Sequence, residues 1–152
     1  MKNFQLSQNS LNKLVGVKPA LVEVVKRAIE LTVVDFGVCE GVRTPERQLE
    51  LYNKGASQIS RGGKHVEHEA VDLMAYIDGR VSWELNLYDN IADAMKKAAI
   101  EKGVAIRWGA AWNVPDIREW PGTMEEAMNH YIDERRKFNK RPFIDGPHFE
   151  MV

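Results

Sequence analysis

The stretch Gly63-Lys64-His65-Val66-Glu67-His68-Glu69-Ala70-Val71-Asp72-Leu73 decides how this chain is read. His65 stands seven residues ahead of Asp72, and Ala70 and Val71 lead into the acid, so the imidazole belongs to a loop and the carboxylate to an entering strand. That is half of a metal site. The other half is His148, in the late run Asp145-Gly146-Pro147-His148-Phe149-Glu150, distant in sequence but able to pair beside the first strand in space. Two histidines and one aspartate are one ligand short of closing a tetrahedral zinc site, and an open fourth position is what a catalytic zinc keeps for water.

The rest of the chain sets the frame for that site. A length of 152 residues is near the commonest domain size, so one domain is expected, able to bury a core without disulfide or partner. Charged residues at 28%, hydrophobic ones at 44% and a net charge of -1 are ordinary globular values and offer no whole-molecule attraction for nucleic acid. The single cysteine, Cys39, cannot form an internal disulfide and reads as a small buried hydrophobe; no histidine and asparagine pattern of a thiol protease accompanies it. The first seventeen residues lack the continuous apolar run of a secretory signal, and no stretch is long and apolar enough to span a bilayer.

Periodicity places the elements. Residues 18–31 put Leu21, Val25, Ala28 and Ile29 on one helical face, with Pro19 in the first turn. Residues 32–38 read as a buried strand ending near Cys39 and Gly41. Thr44 caps a helix from Pro45 to Gly55, which sets Arg43 at a strand-to-helix junction. Residues 56–64 have no period and read as a mobile loop feeding the metal stretch. A strand from Val71 to Ile77 turns at Asp78-Gly79, and a long amphipathic helix carrying Tyr88, Ile91, Ala92, Met95, Ala98 and Ala99 ends at Gly103. Residues 104–108 form the next strand, Thr123 and Glu126 open a capped helix, 133–141 is a solvated basic end that can also draw an anionic envelope, and 147–152 is the last strand. Helices segregated from a few short strands indicate an α+β domain with a small antiparallel sheet carrying the metal stretch.

A hydrolytic centre needs more than ligands. Asp145, three residues before His148, is the candidate base for a metal-bound water, because a tight turn through Gly146 and Pro147 can aim its carboxylate there. Glu150 shares a strand face with His148 and is placed to accept its second ring N–H. Arg43 is read as a positive fork for a substrate carboxylate or for the oxyanion that forms on attack.

With His65, six residues and Asp72 followed by a late Asp145-x-x-His148, the chain resembles the zinc peptidases grouped with D-alanyl-D-alanine carboxypeptidases and dipeptidases. Within that group it is most similar to the L-alanyl-D-glutamate endopeptidases of tailed phages. The likeness covers most of the chain: residues 17–31, Gly41 to Thr44, the His-to-Asp stretch, Ile106 to Gly109 and the final Asp145 to Glu150 fall in the family's order. It implies one zinc on His65, Asp72 and His148, Asp145 as general base, Arg43 on substrate or oxyanion, and cleavage of peptide bonds in bacterial wall stems. The expected form is a monomer, made in the cytoplasm as the lone Cys39 and the missing secretory signal fit, that acts on the wall after release through a membrane lesion. Members commonly carry Ser two residues before the first ligand and Gly three after it, where this chain has Gly63 and His68.

His68 is therefore either a loop side chain leaning over the site or a competing ligand, and the first is expected because a catalytic zinc usually stops at three protein ligands. Trp108 and Trp112 flank a glycine and, with His68, are candidates for a substrate groove; Trp83 and Trp120 are core or cleft walls, and His130 faces solvent. Residues 110–144 are expected to be a peripheral helical insertion. Two rival functions stand beside the endopeptidase: a D-alanyl-D-alanine carboxypeptidase, and a wall-binding module whose zinc does not turn over.

Overall fold

Alternation along two strands separates the core of this protein from its site. In the computed structural model, which describes residues 4–57 and 63–152, strand β2 (Ala70–Ile77) buries Val71, Leu73 and Ala75 on one face and turns Asp72, Met74 and Tyr76 to the other. Strand β5 (His148–Met151) does the same, with Phe149 in the core and His148 and Glu150 opposite. Strands β1 (Asp35–Glu40) and β4 (Ile106–Trp108) complete an antiparallel sheet of order β1-β2-β5-β4, and β3 (Arg80–Ser82) pairs with the far end of β2.

The sheet is covered by helices packed on one another. Helix α2 (Pro19–Leu31) buries Leu21, Val24, Val25 and Ala28, and α4 (Leu85–Lys102) buries Ile91, Ala92, Met95, Ala98 and Ala99; all belong to one core cluster with Phe36, Leu73, Ile106 and Phe149. Each of the larger side chains so removed from water contributes about 1.5–3 kcal/mol. A short helix α1 (Gln8–Lys13), which periodicity does not reveal, lies along the outer edge of β1. There the buried Ser10 hydroxyl accepts from the Val38 N–H at 2.9 Å, satisfying a donor on the edge strand.

Element ends follow local chemistry. Strand β1 begins at Asp35 rather than Thr32, because the Thr32 hydroxyl donates to Val34 O at 2.7 Å and accepts from Val34 N at 3.1 Å, holding residues 32–34 in a turn. Strand β4 begins at Ile106 rather than Val104, since the Val104 N–H still turns back to Ala99 O across the left-handed cap at Gly103. Asp78 and Gly79 both have positive φ, 51° and 76°, the turn expected of a two-residue hairpin. Helix α3 (Pro45–Asn53) is capped by Thr44, and α5 (Met124–Lys137) by the Thr123–Glu126 box. Of the expected mobile loop 56–64, residues 58–62 lie outside the described residues.

The segment 110–144 is not peripheral. Ala110, Ala111, Val114, Ile117, Met124 and Ala127 are buried members of the core cluster, the last two on the face that α5 packs against α4. The N-terminus of α5 is fastened as well, with Asp93 on α4 accepting from the Met124 N–H at 2.8 Å.

Asp89 is the unfavourable member of that junction. It is 5% exposed on α4, and burial, reinforced by the charges of Glu125 and Asp93, pushes its carboxyl up to about 6. The folded chain thus keeps a proton that the unfolded chain gives up near pH 3.8, so this carboxyl costs stability as pH rises toward 6 and above. Asp89→Asn is expected to raise neutral-pH stability by on the order of 1–2 kcal/mol, allowing for solvent screening. Melting curves at pH 3 and pH 7.5 check this: the gain belongs to the higher pH and shrinks toward zero at the lower, below the unfolded value of 3.8.

Candidate metal centre and its cleft

The β2–β5 register sets Asp72 directly opposite His148, on the face turned away from the core. His65 comes from the turn before β2, where its carbonyl accepts from the Arg43 N–H at 3.1 Å and fixes the ring over the strand. Three donor atoms meet: His65 Nε2, His148 Nδ1 and Asp72 Oδ1, each 3.2 Å from the other two. A tetrahedral ion with ligand bonds of about 2.0–2.1 Å has edges of about 3.3 Å, so this triangle is close to one face of such a coordination shell. The group suits a metal ion.

The opposite ring nitrogens orient the donors. His65 Nδ1 donates to Gly41 O at 2.8 Å, which leaves Nε2 bare toward the triangle. His148 Nε2 donates to Glu150 Oε1 at 2.8 Å and presents Nδ1. Burial alone would lower the His148 imidazole, but its bonds to Asp72 and Glu150 raise it to about 9, so an ion that binds Nδ1 takes the place of a proton. Burial would likewise raise Asp72, yet hydrogen bonds from His148 and His65 hold its carboxyl well below the usual carboxylate range.

Asp145 is brought to the same cleft by backbone contacts. Its N–H donates to Gly109 O at 2.8 Å, its carbonyl accepts from the His148 N–H at 3.1 Å, and Gly109 N–H donates to His148 O at 2.8 Å. A Cβ on Gly109 would collide with the Asp145 carbonyl, which is why the residue after Trp108 has no side chain. Burial, and then the charge of Asp72, push the Asp145 carboxyl above its ordinary value against the pull of His148, His65 and Arg43. Among the described residues that carboxylate takes no hydrogen bond.

Arg43 does not present an open fork. Its Nε and Nη2 donate to the two oxygens of Glu40 at 2.9 and 2.8 Å, Nη1 donates to Gln48 at 2.7 Å, and Nη2 also reaches Asp72 Oδ2 at 3.5 Å. Glu40 was invisible to motif reading because its position depends on a bulge. Between Val38 and Glu40 the register with β2 shifts by one residue, so Glu40 rather than Cys39 stands opposite Asp72. Cys39 lines the cleft, and its thiol is pushed up to about 12 by burial and by Asp72 and Glu40, so it remains protonated.

The cleft has a volume of about 680 Å³. Trp112 lines it, its ring 5.6 Å from that of His148 and 6.3 Å from that of Phe143. Trp108 is not a groove residue: it is fully buried in the core and donates from Nε1 to Gly146 O at 2.7 Å. His68 is also placed elsewhere, in a left-handed conformation, with its Nδ1 3.0 Å from Gly16 O on the turn before α2. Trp83, expected as a core or cleft wall, does line the cleft; Tyr131, Arg135 and Phe143, which carry no site motif, line it too and come from residues 110–144. His130 is exposed and meets Asn113 at 3.1 Å.

Two imidazoles and a carboxylate on a sheet face, beside a cleft that also takes in Asp145, suit a metal ion and match the donor types of hydrolytic metal centres. The chain belongs to the phage L-alanyl-D-glutamate peptidase family, whose model matches residues 2–152. It is 32% identical over 153 residues to the L-alanyl-D-glutamate peptidase of Escherichia phage T5, with 99% of each chain covered. It is also similar to the crystal structure of the L-Ala D-Glu endopeptidase ChiX of Serratia marcescens, at 32% identity and a TM-score of 0.72, covering 99% of this chain and 92% of that one.

Divalent-metal affinity tests the orienting bonds. His65→Ala removes a donor and is expected to abolish binding, whereas Glu150→Ala leaves all three donors and weakens affinity about 10-fold or more, the usual effect of losing an outer partner. Competition with a chromophoric chelator measures both; unchanged affinity in Glu150→Ala would mean that Glu150 does not orient His148.

Proposed function

We propose that this protein is a zinc-dependent peptidase of bacterial peptidoglycan, cutting the stem peptide between L-alanine and D-glutamate as a phage-type endolysin. The observation that carries the reading is the triangle of His65, His148 and Asp72 donors beside Asp145, in a chain of the L-alanyl-D-glutamate peptidase family. One zinc per chain is held by those three residues. When bound, it supplies a Lewis acid at the scissile carbonyl and a water of lowered pKa.

The chain's own residues do the remainder. Asp145, desolvated and without a hydrogen bond to its carboxylate among the described residues, takes the proton from the attacking water and returns it to the leaving amine. His65 and His148 are kept in the donor tautomer by Gly41 O and Glu150, so no ring has to reorient during turnover. Arg43 anchors Glu40 and the second oxygen of Asp72, and one N–H on Nη1 remains to steady charge in the cleft. Trp112 and Phe143 form a stacked wall that shields the chemistry from solvent on one side. The protein acts as a monomer. None of the described helices is long and apolar enough to cross a membrane, and the protein is delivered to the wall through a membrane lesion.

Asp145→Asn carries the test. The zinc-loaded variant is expected to lose turnover of purified peptidoglycan by about a hundredfold or more while keeping about one zinc per chain, because an amide cannot accept the proton but need not disturb the donors. Near-normal turnover would place the base elsewhere, and fragments ending at a bond other than L-alanine to D-glutamate would correct the specificity. Arg43→Lys is expected to lower kcat by on the order of a hundredfold, since a single ammonium cannot hold Glu40, Gln48 and Asp72 together. Equal rates for that variant and wild type would remove Arg43 from the reaction.

A further inference from the structure

The cleft is rich in carboxylates, yet the proposed substrate is itself an anion. Glu40, Asp72, Asp145 and Glu150 all line it. A D-glutamate residue has two carboxyl groups and the chain can continue through only one, so the half that leaves with the new amine keeps at least one free carboxylate unless it is amidated. That charge has to be met somewhere away from the four acids.

Three lysine and arginine side chains line the cleft among the described residues: Arg43, Lys64 and Arg135. Arg43 is closed on Glu40 and Asp72, and Lys64 pairs with Glu69 at 3.6 Å. Arg135, in the last turn of α5, pairs with no carboxylate of the described residues. Its Nε and Nη2 donate instead to the backbone carbonyl of Arg141, at 3.2 and 3.0 Å. This fork holds the guanidinium in place without neutralising it, and the outer Nη1 edge stays available. A second hollow continues past Arg135 and Phe143, lined by Lys140, Arg141 and Pro142 and, among the described residues, by no acid.

The direction also agrees with the chemistry. Phe143 is two residues before Asp145, the group that returns a proton to the leaving amine, and its N–H is tied to the Tyr131 hydroxyl at 3.1 Å on the same helix as Arg135. A leaving half that takes its proton from Asp145 and lies along Phe143 would reach Arg135, which lines the same cleft. We infer that Arg135 is a specificity residue of this peptidase, binding a free carboxylate on the leaving half of the stem peptide and so setting the direction in which substrate lies across the cleft. The assignment rests on the endopeptidase reading above.

The experiment uses zinc-loaded wild type, Arg135→Gln and Arg135→Lys with two peptides. One carries the L-alanyl-D-glutamate bond with free carboxylates in its leaving half; the other is the same peptide with those carboxyls amidated. Wild type is expected to favour the free acid by about tenfold or more in KM, and Arg135→Gln to raise KM for the acid to that of the amide with kcat within about twofold, as loss of a charge-assisted contact predicts. Arg135→Lys is expected to keep part of the preference, which separates charge from any shift of the Arg141 segment. Equal losses on both peptides, or no change on either, overturn the proposal, because a displaced wall would not distinguish acid from amide. If zinc-loaded wild type cleaves neither peptide, the endopeptidase reading fails and the Arg135 assignment falls with it, an outcome distinct from the variant results.

Discussion

The pairing of Asp72 with His148 across two antiparallel strands is the constraint on which the rest of the structure depends. Because side chains alternate, a slip of one residue between β2 and β5 would bring Phe149 opposite Asp72 and turn a core aromatic toward the cleft. The register is held from the core side, where Val71, Leu73 and Phe149 are fully buried and Phe149 stacks near Trp108. Hydrophobic packing on one face thus sets the geometry of the donors on the other. The centre needs little of its own to be precise.

A second layer of contacts then fixes what alternation leaves free. Strand pairing places a histidine but does not choose its ring orientation or tautomer; Gly41 O and Glu150 do. Glu40 and Arg43 perform the same service for Asp72, whose second oxygen would otherwise rotate away from the triangle. The bulge at Cys39 is what lets them reach it, since it advances Glu40 into the position facing Asp72. The close approach of Gly109 to Asp145 works alike, transmitting the position of β4 to the loop that carries Asp145.

Charge in the cleft is arranged asymmetrically. Four carboxylates cluster at the floor around the donor triangle, and the basic side chains that answer them are mostly consumed in doing so. Positive charge not offset by a neighbouring acid collects instead at the far wall, on the end of α5 and the segment after it. A floor whose donors suit a metal ion, with a basic wall in the same cleft, would suit a substrate with a neutral bond at one point and a carboxylate further along.

His65, Asp72, Asp145, His148 and Glu150 could be picked out from the sequence because their spacing reflects local geometry: a turn, two strands with period two, and a three-residue reverse turn. The capping signals at Thr44, Thr123 and Gly103 were legible for the same reason, each depending on a few adjacent residues. Local pattern could not tell that Trp108 is core while Trp112 walls the cleft, since both are tryptophans within three residues of Gly109 and only the tertiary packing decides what each meets. Nor could it show that His68 turns to Gly16, that Arg43 closes on Glu40, or that the segment 110–144 completes both core and cleft. The sequence by itself determined the donor set and the elements that carry it, through interactions a few residues in range. Which side chains surround those donors was decided by tertiary structure alone, because it depends on how α5 packs on α4 and how a bulge shifts one strand against another, and neither leaves a periodic trace in the chain.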